Sequence, residues 1–149
     1  MTQTILNFAV ESTDEKLTPR AGAILFGEYL KGLGLEKLSN HYLPMPGSNR
    51  GYEPFVYLNA LILMLHSGGR VMEDIRILKS DQGMRTLLNM KNIPEADSIG
   101  KWLKRIGLLG VYGIEKLNRH LLKSHLKGLD DTDLVLDIDT TVVKRGTDR

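Results

Sequence analysis

Phe55 to His66 reads F-V-Y-L-N-A-L-I-L-M-L-H, a run with apolar residues on most sides of a helix. A membrane span takes about 20 apolar residues. A run of about a dozen therefore suits a helix, Phe55 to Ser67, buried at the centre of a protein core. Gly68-Gly69 stops it, and the loop Pro44 to Pro54, with three prolines and two glycines, precedes it. A central helix of this kind needs other helices around it, and the flanking sequence supplies them.

On the N-terminal side, Met1 to Leu17 has no sustained period and reads as a loose leader. Thr18 is a good N-cap and Pro19 suits a first helical position, so a helix is expected from there. Ala23, Phe26, Leu30 and Leu33 recur at helical spacing, and Gly32 and Gly34 end the helix. A short helix, Glu36 to Tyr42, follows. On the C-terminal side, Val71 to Leu78 and Asp81 to Leu88 read as short amphipathic helices. Asn92 to Asp97 is a turn, with Asp97 as the next N-cap. Ile99, Trp102, Leu103 and Ile106 then share one helix face, Gly107 and Gly110 punctuate, and a longer helix runs from Val111 to Leu126.

The chain has 149 residues, which is about one domain, with 42% apolar and 26% charged residues, as in ordinary globular proteins. It has no cysteine, which excludes disulfides and thiolate zinc sites and is compatible with a reducing cytoplasm. The N-terminus lacks the basic and apolar regions of a signal peptide. The expected location is cytoplasmic, with no membrane partner.

Net charge is only +2, but it is unevenly placed. Asp97 to Gly128 holds seven basic residues against two acidic ones. From Leu129 onward six aspartates face three basic residues. A basic helical block followed by an acidic strand fits a DNA-gripping element beside a metal-binding one. The plain alternative is two ordinary solvated faces.

Leu134 to Val143, L-V-L-D-I-D-T-T-V-V, is the one clear strand signal. Alternation puts Val135, Asp137, Asp139 and Thr141 on one face. The two carboxylates would lie about 6.5–7 Å apart. Their repulsion, on the order of 2 kcal/mol at an effective dielectric near 20, would become attraction around a divalent cation. An edge strand with one wet face is the competing account.

In D-S-I-G-K-W-L-K-R-I-G (Asp97 to Gly107), the inward face leaves Ser98, Lys101, Lys104 and Arg105 outward. With the short helix before it, the span 81–107 reads as a helix-turn-helix, although its connection is longer than the usual tight turn. The basic side chains would then meet phosphates or base edges. An ordinary amphipathic surface helix is the alternative. Arg50 and Arg70 stand beside glycines, where arginine can meet phosphate. The four histidines lack zinc spacing.

Five segments occur in order: L-T-P-R-A-G at Leu17 to Gly22, P-G-S-N-R-G-Y at Pro46 to Tyr52, L-H-S-G-G-R with M-E-D-I-R at Leu65 to Arg76, D-S-I-G-K-W-L-K-R-I-G, and L-D-I-D-T-T at Leu136 to Thr141. Together they resemble the N-terminal part of a bacterial insertion-sequence transposase of the DDE type. The resemblance implies a mainly α chain. A helical DNA-binding region over 18–128 would be followed, over 129–149, by the first β-strand of a truncated ribonuclease-H-like domain. It also implies Mg²⁺ or Mn²⁺ chemistry on DNA, with two metals serving phosphodiester hydrolysis and strand transfer. Asp139, two before Thr141, fits the family's first catalytic and metal-binding aspartate, with its neighbour Asp137 as the alternative for the catalytic position. The implied partners are double-stranded DNA at terminal inverted repeats, and this chain or the full-length transposase.

The remaining catalytic carboxylates of the family are not in this sequence. The chain alone is therefore expected to bind DNA, through Lys101, Lys104, Arg105 and Ser98 and less centrally Arg50 and Arg70, without cutting it. Three alternatives stand beside this: a non-enzymatic helical DNA-binding regulator, a dominant-negative inhibitor of transposition, and a protein-interaction module that pairs through the strand.

Overall fold

The computed structural model describes Thr4, Ile5, Phe8, Ala9 and residues 12–47 and 51–126. Thr4–Ile5 (β1) pairs antiparallel with Phe8–Ala9 (β2), Thr4 opposite Ala9. The rest is helical: α1 (Ala21–Gly32), α2 (Leu35–Tyr42), α3 (Pro54–His66), a 3₁₀ turn (Met72–Ile75), α4 (Arg76–Ser80), α5 (Gln82–Leu87) and α6 (Ala96–Leu126). The mainly α class holds for the described residues. The strand expected at 134–143, and with it the start of a ribonuclease-H-like domain over 129–149, lies outside them.

The central position of α3 follows from its sequence. Pro54 opens it at the first helical position, where a missing N–H costs nothing. Tyr57, Ala60, Leu63 and Met64 are buried, and the helix packs against α1, α2, α4 and the 3₁₀ turn. It closes as a Schellman motif: Gly69 N donates to Met64 O and Gly68 N to Leu65 O. The main core joins these residues to Ile75, Leu78, Met84, Ile99, Trp102 and Ile106. A second cluster, Leu30, Leu35 and Leu117, ties α1 and α2 to the distal part of α6.

Two expectations are corrected at the N-terminal end. The first helix starts at Ala21, not at Thr18-Pro19, and Thr18 does not cap it. The Thr18 hydroxyl accepts from Arg20 N at 3.0 Å, just ahead of the helix, and donates to Asp81 Oδ2 at 2.7 Å; Arg20 Nη1 reaches the same carboxylate oxygen at 3.2 Å. Asp81 Oδ1 accepts from Met84 N and so caps α5. Residues 18–20, expected to open the first helix, are in this way a strap tied to α5. Asp81 is only 5% exposed, so its charge is retained because three donors satisfy it. Burial pushes its pKa up, but the Met84 N–H, the Thr18 hydroxyl and Arg20 hold the carboxyl below its ordinary value.

The long helix is interrupted at Gly107, whose φ of 47° and ψ of −140° are not helical. Only glycine takes such a backbone readily. The interruption divides α6 into a proximal arm, 96–106, and a distal arm, 108–126, close to the two helices expected from sequence. Asp97, expected as the N-cap, lies instead within the first turn.

Candidate nucleic-acid interface

The proximal arm is positioned by one face. Ile99, Trp102 and Ile106 are buried. The Trp102 ring stacks on Tyr57 of α3, with centroids 4.9 Å apart and planes 7° apart. Full burial of side chains this size is worth roughly 2–3 kcal/mol each. This face therefore fixes the rotation of the arm about its axis, and with it the direction of the opposite face.

Lys101, Lys104 and Arg105 stand on that opposite face, all exposed. They sit at i, i+3 and i+4, which makes them neighbours on the helix surface. None has an ion-pair partner among the described residues. Three adjacent cations without a counter-charge repel one another mildly, and an external anion would relieve that repulsion.

Two assignments on this arm are corrected. Leu103, expected inward, is 39% exposed, because the buried stripe is only three residues wide. Ser98, expected outward, is half-buried, and its hydroxyl shares a 3.1 Å hydrogen bond with the Tyr57 hydroxyl. That bond orients the Tyr57–Trp102 stack and leaves Ser98 poorly placed for a partner molecule.

The helices expected over 81–107 are both present, but each has its own packing partners. α5 packs on α1 and α4, whereas α6 packs on α2 and the 3₁₀ turn. Met84 and Ile99 both belong to the shared core. Arg70 is exposed, and its backbone is fixed from below: Asp74 Oδ2 accepts from Arg70 N at 2.8 Å and Val71 N at 3.2 Å. These two N–H groups hold the Asp74 carboxyl below its ordinary pKa. Arg50, Asp137 and Asp139 lie outside the described residues, and so does the metal site expected at Asp139. Among the described residues no cluster of three histidine or acidic groups could hold a metal. No helix among them is long and apolar enough to cross a membrane.

A second basic surface, within the basic block 97–128 but not among the expected contact residues, lies on the distal arm. Tyr112, Lys116, Arg119 and Lys123 follow helical spacing and border a cleft against Tyr42 of α2. Tyr42 Oη lies 3.4 Å from His120 Nδ1, and Arg119 pairs with Glu115 at 2.7 Å. The spacing of these four residues was a readable signal. The arrival of Tyr42 was not, since it comes from another helix. The distal arm approaches that helix through Gly113, where a Cβ would lie 2.4 Å from Tyr42 O.

No family model matches the chain, and neither a curated protein nor a solved structure matches it.

Proposed function

We propose that the helical body binds double-stranded DNA through the outer face of the proximal arm, as the N-terminal part of a DDE-type transposase does. The observation that carries the DNA reading is the Lys101, Lys104 and Arg105 face, which lacks counter-charges among the described residues and is held rigidly by the Trp102–Tyr57 stack behind it. Arg70, on a backbone pinned by Asp74, is a further phosphate contact. The transposase assignment rests on the ordered sequence segments. In that assignment Asp139, beside Asp137, is a metal-binding carboxylate for Mg²⁺ or Mn²⁺, and the DNA is a terminal inverted repeat.

Fluorescence anisotropy with a duplex over a salt series tests the DNA reading. Each phosphate contact contributes about 0.9 to the slope of log affinity against log salt. K101A/K104A/R105A should lower that slope by about 3. An unchanged slope in the triple variant would remove this face from the interface.

One observation favours a second reading, a helical DNA-binding regulator: the described helices, α1 to α6, close their own core around α3. Selection of bound duplexes from a random pool separates the two. Recovered sites matching inverted repeats that flank the gene support the transposase. Sites lying in promoters support the regulator.

A further inference from the structure

A concave site lies on the far side of the strap, where the segment before α1 crosses α5. Two features of local geometry build it. First, Gly83 lets the strap lie directly on α5: a Cβ at this position would sit 2.7 Å from Lys16 O. The bonds of Thr18 and Arg20 to Asp81 hold the strap there. Second, α5 ends in a Schellman motif, in which Met90 N donates to Arg85 O and Asn89 N to Thr86 O. Asn89 takes the left-handed position, φ 52°, which asparagine tolerates better than most residues. This turn folds the chain back beside α5 and brings Lys91 to the same cleft as Lys16 and Arg85.

The chemistry of the cleft is one-sided. Lys16, Arg85 and Lys91 line it together with Gln82, Thr86 and Asn89, and no carboxylate is among its lining residues. Asp14 and Glu15 line a separate depression that shares only Lys16 and Gln82 with it. The Arg85 guanidinium carries five donors. One is spent on Lys79 O at 3.4 Å, while the buried Nε has no partner among the described residues. Three cations and several neutral donors around a concave surface match a tetrahedral oxyanion: its charge is neutralised and its oxygens find hydrogen bonds.

We propose that this cleft is a phosphate-binding site, filled by a backbone phosphate when duplex DNA lies on the helical body. It would add a contact from α5 and the strap to the one from α6. The proposal rests on the DNA-binding reading above for the source of the phosphate. The chemistry of the cleft stands independently of it.

The test uses the whole chain and the NMR signal of the Arg85 Nε–H group, titrated with a duplex and separately with inorganic phosphate. The expected result is a shift with duplex that is lost in K16Q/K91Q. Both lysines are exposed, so the fold should survive these changes. Duplex affinity of K16Q/K91Q should fall on the order of tenfold near 0.1 M salt, and the salt slope by about 0.9, the share of one phosphate. A shift with inorganic phosphate but none with a duplex that does bind would overturn the DNA source. No shift with either ligand would overturn the site itself. If wild type bound no duplex at all, the α6 reading would fail with the DNA source, and the phosphate titration would still decide whether the cleft takes the oxyanion. If K16Q/K91Q kept full affinity and slope while the α6 triple variant lost both, DNA binding would stand and the cleft would be excluded from it.

Discussion

The two arms of α6 share one stretch of sequence but are held in opposite ways. The proximal arm buries Ile99, Trp102 and Ile106 in the main core. The distal arm is held through Gly113 and Leu117 and rests on α2, while Leu108 (76% exposed) and Leu109 face outward. Large side chains anchor the first arm, so its outer face has a fixed direction. Close backbone approach anchors the second, and much apolar surface is left over. The rigid arm would be the better platform for the proposed duplex contact, since a site set on well-packed elements keeps its geometry.

That contrast can be broken at its strongest point first. Trp102→Ala should cost about 3–5 kcal/mol, the usual range for a buried tryptophan. Thermal melting followed by circular dichroism would show the loss. Destabilisation under about 1 kcal/mol would mean that the proximal arm is not the one built into the core.

Asp81 acts on the same side of the contrast, through the strap. Asp81→Ala should cost about 3 kcal/mol near neutral pH, since a buried charge network is lost and Arg20 and Thr18 are left behind. Because the folded carboxyl titrates below the unfolded one, its contribution is complete above the unfolded value, about 4. The contribution is then lost as pH falls through the folded value. Urea melts across the acid range should therefore show wild type losing stability below about pH 4 more steeply than Asp81→Asn. Parallel curves would mean that Asp81 is not held ionised.

The smallest effect should come from the junction. Gly107→Ala places a Cβ on a backbone that only glycine adopts readily, at a cost of about 1–3 kcal/mol. If the arms are separate units, hydrogen exchange should accelerate mainly in 108–126 and leave Ile99 and Trp102 protected. Equal acceleration in both arms would show that they unfold together.

Much of this division was legible in sequence. The apolar run at 55–66 identified the central helix, and the i, i+3, i+7 spacing of Ile99, Trp102 and Ile106 identified the buried face. Both are local patterns with a single period. Leu103 was misjudged because period alone does not say how wide the buried stripe is. Ser98 was misjudged because its partner, Tyr57, is 41 residues away. Thr18 carried a strong capping signal, yet its hydroxyl accepts from Arg20 N ahead of the helix while it donates to Asp81, 63 residues away. The cleft at Lys16, Arg85 and Lys91 was not legible, because its three cations come from the strap, a short helix and the turn after it. What joins them is a close approach at Gly83 and a helix end at Asn89, neither of which has a charge pattern.

The bond between Thr18 and Asp81 also bears on the order of folding. It joins groups 63 residues apart in sequence, and a contact of that span closes a large loop before it returns any energy. During synthesis from the N-terminus, Lys16 to Arg20 emerge well before Asp81 exists to receive them. The strap must therefore wait for α5, and α1 must form without it. Helices with local contacts would assemble first and the strap would fasten late. The basic cleft would then be completed among the last features of the fold, once the body beneath it is in place.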